Sequence, residues 1–128
     1  EMLITLAECK CRKGEYADAR ALLEELYAKR YTAKRDISSL TDSDEVSLDT
    51  HIAPVTLIDE ILLQRRIELW CEGMGRVPDL RRLNLGYSRS EQQSEPTDAK
   101  PNDPRFVFKI PLKEFDSNTA LDMAKDQN

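Results

Sequence analysis

The sequence predicts an all-α protein: helical hairpins joined by long loops and followed by a short extended C-terminal segment. Three observations carry this. Apolar residues recur three and four apart over residues 2–13, 16–30 and 57–72, the period of helices with one buried stripe. Gly14 separates the first two runs by a turn only a few residues long, as an antiparallel hairpin needs. Strand-like alternation is read only over residues 105–110.

In the first helix, 2–13, Leu3, Ala7 and Cys11 share a stripe flanked by Ile4. The second, 16–30, has an inward stripe of Tyr16, Ala19, Leu22, Leu23, Leu26 and Tyr27. Ala7 stands seven residues before Gly14 and Ala19 five after it, the spacing of a tetratricopeptide-like hairpin, in which small residues let two helices approach closely. A lone hairpin leaves its outer faces uncovered, so the pattern reads as part of an α–α superhelix. Residues 31–54 are polar and read as a connecting loop, with Asp42, Asp44 and Glu45 solvated. A calcium loop of the EF-hand type starting at Asp42 would need glycine sixth and glutamate twelfth; the chain has Ser47 and Ala53 there.

Thr56 is placed to cap helix 57–72, with Asp59 and Glu60 in its first turn facing the positive end of the dipole. Ile58, Ile61, Leu62 and Leu69 share one face, and Arg65 and Glu72 lie on that same stripe. Burying either charge without its mate costs roughly 3–5 kcal/mol, so they are expected to pair with each other or with Asp79, Arg81 or Arg82. Arg66 and Trp70 stand four apart, where a guanidinium can lie over an indole, and Trp70 reads as core. Gly73 is the expected stop; Pro78 then opens a short helix over 79–84. Residues 86–104 carry three prolines and mixed charge with few apolar side chains, the composition of a mobile or partner-ordered loop. Beyond it, Phe106, Phe108 and Ile110 alternate onto one side to pack on the helices, Leu112–Phe115 makes one helical turn, and the tail 119–128 is weakly held.

The net charge of −5 and pI near 5.0 oppose attraction to phosphate backbones, which argues against nucleic acid as a partner. No stretch approaches the roughly 20 apolar residues that span a bilayer, and the N-terminus lacks an export pattern. The chain opens directly into a helix, so it is expected to be a fragment of a longer protein. Cys9, Cys11 and Cys71 read as small, mostly buried hydrophobes; a Cys71 bridge to Cys9 or Cys11 and a C-x-C metal site are the lesser readings. His51, the one histidine, sits in a polar loop without a catalytic companion. The sequence therefore predicts no enzyme, no cofactor and no metal site.

The string Arg65-Arg66-x-Glu68-Leu69-x-x-Glu72-Gly73, followed by Asp79-Leu80-Arg81-Arg82, resembles the C-terminal region of the SusD/RagB family of outer-membrane nutrient-binding lipoproteins. Glu1-Met2-Leu3-Ile4-x-Leu6-Ala7-Glu8, Ile110-Pro111-x-x-Glu114-x-x-x-Asn118 and Gln127-Asn128 resemble further family segments, in the family's order. Met74, Val77 and Pro78 depart from its pattern. The resemblance implies that residues 1–128 form a C-terminal helical domain. That domain would be the scaffold part of a lipid-anchored, cell-surface glycan or nutrient binder in the outer membrane of a Gram-negative bacterium, handing its ligand to a SusC-like TonB-dependent transporter. It also implies that ligand loops come largely from outside this segment. No residue is assigned to a ligand; Tyr31 and Tyr87, the aromatics in loop-like surroundings, are weighed as sugar-stacking faces, with ordinary packing the weightier reading. The alternative is a free-standing helical-repeat adaptor that binds a protein segment.

Overall fold

Helix α1 (Met2–Arg12) buries Ile4, Ala7, Glu8 and Cys11, one face at the expected period. It ends at a Schellman turn: Glu15 N–H donates to Lys10 O at 3.0 Å and Gly14 N–H to Cys11 O at 3.0 Å. Gly14 takes φ +77°, a conformation that a Cβ disfavours, so glycine is needed where the chain reverses. Helix α2 (Tyr16–Arg30) returns along α1 with Ala19, Leu23, Leu26 and Tyr27 buried, while Tyr16 and Leu22 are only half-buried. Ala7 and Ala19 are both fully buried in the seam, as their size requires.

These features come from a computed structural model that describes residues 1–33, 36–46, 54–72, 76–88, 98–104 and 107–126. His51, Gly73, Met74, Phe106 and the pair Gln127-Asn128 lie outside the described residues. The described chain is helix-rich, with one two-stranded ladder, and falls into two units, Glu1–Gly75 and Arg76–Asn128.

Helix α3 (Leu57–Glu68) completes the first unit, and Thr56 caps it: the Thr56 hydroxyl accepts from Asp59 N–H at 3.2 Å. Leu57, Ile58, Ile61 and Leu62 are buried. The helix stops four residues earlier than the apolar stripe predicts, because Leu69 leaves helical geometry and Cys71 takes φ 66°. Glu72 therefore falls beyond the helix and is exposed rather than inward-facing. Trp70 falls in the same turn at 77% exposure, so its expected place in the core is overturned, and no continuous helix holds it one turn above Arg66. Only Cys11 of the three cysteines is buried; Cys9 and Cys71 are exposed, and all three are free thiols.

In the second unit, α4 (Arg76–Arg82) begins before the expected 79–84. Pro78 is accommodated because the first-turn N–H groups of a helix have no intrahelical partner to lose. A second Schellman turn closes α4: Leu85 N–H donates to Leu80 O at 2.8 Å and Asn84 N–H to Arg81 O at 3.1 Å. Asn84 supplies the left-handed residue, and Leu80 and Leu85, the two positions this turn brings together, are both buried. Strands β1 (Tyr87–Ser88) and β2 (Asp98–Ala99) then pair antiparallel, an element that composition did not predict. A Cβ on Gly86 would stand 2.3 Å from the Ala99 carbonyl oxygen, so only glycine lets the ladder close. Helices α5 (Leu112–Ser117) and α6 (Met123–Asp126) bury no residue, and Phe108 is 98% exposed instead of packing on helices.

Candidate functional site

Glu60, Gln64 and Glu68 stand four apart on α3 and so form one polar stripe. The stripe faces α2. The Tyr27 hydroxyl donates to Glu60 Oε1, and Gln64 Nε2 donates to the same oxygen at 2.9 Å. The Tyr31 hydroxyl donates to Gln64 Oε1 at 3.0 Å, and Arg30 Nη2 to Glu68 Oε2 at 2.7 Å. Because 27 meets 60 and 31 meets 64, α3 runs parallel to α2 and antiparallel to α1. Tyr27 and Tyr31 stack edge to face, with ring centroids 5.4 Å apart and planes at 76°. Glu60 and Gln64 are each 1% exposed, where an unmet polar group costs most; among the described residues no buried side-chain polar atom lacks a partner.

On α1, Arg65 Nη1 donates to Thr5 Oγ1 at 2.9 Å, and its Nη2 lies 4.0 Å from the Glu1 carboxylate. The sequence expects Arg65 to pair with Glu72 or with Asp79, Arg81 or Arg82; Thr5 and Glu1 are not among the expected partners, and Glu72 is exposed beyond the helix. In the second unit Asp79 accepts from Arg82 Nε at 2.7 Å, one turn along α4.

The loop after α2 is held more firmly than its acidity suggests. Arg20 Nη1 donates to Ile37 O at 2.5 Å, and Nη2 to Leu40 O and Asp42 Oδ1, each at 2.6 Å. Thr41 N–H then donates to Val55 O at 3.0 Å and Leu57 N–H to Thr41 O at 2.9 Å, tying the loop to the start of α3. Beneath it the Cys11 thiol donates to Ser43 O at 3.5 Å, and burial pushes that thiol up to about 11.

An open groove of about 450 Å³ lies at the α1–α2 turn, lined by Gly14, Glu15, Tyr16, Ala17, Asp18 and Asp42. Its acids have cationic neighbours: Lys10 bridges Glu15 and Asp18, which raises the lysine, and Arg20 holds Asp42. Partial burial, then Asp44, raises the Tyr16 phenol. No nucleophile stands beside a general base in this groove, and among the described residues no three His, Cys, Asp or Glu gather to hold a metal. Of the two weighed aromatics, Tyr31 is engaged with Gln64 and Tyr27, and Tyr87 is half-buried in β1. Trp70, like Phe108, is an aromatic that the sequence places in the packing and the structure exposes. Its exposure follows from where the helix ends, which the apolar stripe does not encode.

Compared with protein-family models, the chain matches that of the SusD family over residues 1–123 of its 128. The chain belongs to the SusD family. No curated protein and no solved structure matches it. SusD membership implies a nutrient- or glycan-binding role at the cell surface, in a family of binding proteins rather than enzymes. No helix among the described residues is long and apolar enough to cross a membrane. The SusD-like string on α3 is also the string that bolts this unit together: Arg65 reaches α1, Glu68 reaches α2, and Leu69 is buried. Arg65 meets Thr5 and Glu1, within the SusD-like opening segment, so two resembling strings some sixty residues apart meet in space.

Proposed function

We propose that this chain is the C-terminal helical scaffold of a lipid-anchored, cell-surface binder that captures a glycan or another nutrient and passes it to a SusC-like TonB-dependent transporter in the outer membrane. The mechanism is noncovalent. The observation that carries the reading is the SusD-family match over residues 1–123. The packing supports the scaffold role: the polar groups in the α2–α3 seam are spent on each other, leaving a stiff unit rather than a reactive one. The hairpin of α1 and α2 is tetratricopeptide-like in spacing, and we assign it a place in an α–α superhelix whose other helices and ligand loops lie elsewhere in the longer protein. In this reading a scaffold keeps the ligand loops preorganised, so affinity is not lost to ordering them on binding.

The test is to isolate the full-length protein from its native membranes. The expected result is metabolic lipid labelling, recovery in the outer-membrane fraction together with a large β-barrel, and saturable binding to one glycan in a panel immobilised in native gels. Recovery in the soluble fraction with no lipid label would overturn the reading and favour a helical-repeat adaptor.

A further inference from the structure

We draw no further inference here: the strongest candidate, the exposed apolar side chains Met2 and Leu6 on α1 with Ile67 and Trp70 at the end of α3, carries nothing because nothing in the structure shows what covers them.

Discussion

Tyr27 and Glu60, 33 residues apart in sequence, meet as a phenol donating to a carboxylate that is 1% exposed. A polar group in a nearly water-free seam is tolerated only where partners meet it, and Gln64 is the second donor on the same oxygen. Tyr27→Phe removes one donor and leaves the acid buried, so it is expected to cost about 1–3 kcal/mol in urea unfolding. Tyr27→Phe combined with Glu60→Leu is expected to cost less than the sum of the two single losses, because both changes break the same bond, although Gln64 also loses its acceptor when Glu60 is replaced. A double variant whose loss equals the sum of the single losses would show that Glu60 serves other partners more than it serves Tyr27.

Arg65 is expected to matter through α1. Arg65→Ala removes the donor to Thr5, the charge near Glu1 and the packing of a largely buried side chain; a loss of about 1.5–3 kcal/mol is expected. Glu72→Ala, in contrast, is expected to stay within about 0.5 kcal/mol of the parent, since Glu72 is exposed beyond the helix. Chemical denaturation of the two variants side by side separates the structural charge from the solvated one.

The helical periods made α1, α2 and the start of α3 legible, including the Thr56 cap and the Gly14 turn, because one buried stripe and two local turn chemistries set them. The end of α3 was not legible: Glu72 and Trp70 continue the pattern on paper, but the chain leaves helical geometry at Leu69. The sequence reads Glu60 only as a first-turn acid facing the helix dipole, and gives Gln64 no role. Their burial depends on Tyr27 and Tyr31, on another helix, and the shared four-residue spacing of 60, 64, 68 and of 27, 31 was the available signal. Loop polarity hid the Arg20 clamp in the same way, since two of its acceptors are backbone carbonyls, which no side-chain pattern records.

Arg20→Lys is expected to loosen the loop without removing the charge. A lysine ammonium is a single point donor and cannot span Ile37 O, Leu40 O and Asp42 as the planar guanidinium does. About 1–3 kcal/mol is the expected loss for a partly exposed clamp. Hydrogen exchange gives the sharper readout: the Thr41 and Leu57 amides, bonded to Val55 O and Thr41 O, should exchange faster while α1 amides are unchanged.

Gly86→Ala tests the second unit alone. The added methyl would meet the Ala99 carbonyl oxygen at 2.3 Å, so the backbone of β1 or β2 must move and the Tyr87–Ala99 pairing opens. Faster amide exchange confined to residues 86–88 and 98–99 is expected, with the unit Glu1–Gly75 unaffected.

The cysteines give a prediction in pH. Cys9 and Cys71 are exposed, whereas Cys11 is buried and donates to Ser43 O. Iodoacetamide near pH 8 is therefore expected to label two thiols quickly and the third only after denaturant is added, because the thiolate is the nucleophile and Cys11 is both covered and held protonated. The Cys11 thiol titrates near 9.0 when unfolded and at about 11 when folded, so the native state binds the extra proton. Its contribution to stability is fully present below pH 9 and is lost as pH rises from 9 to about 11. Cys11→Ala removes that titration at the cost of a small cavity under the loop. Comparing urea midpoints at pH 8 and pH 10.5, the parent should lose more stability than Cys11→Ala over that interval; equal losses would mean that Cys11 ionises in the folded protein as freely as in the unfolded chain.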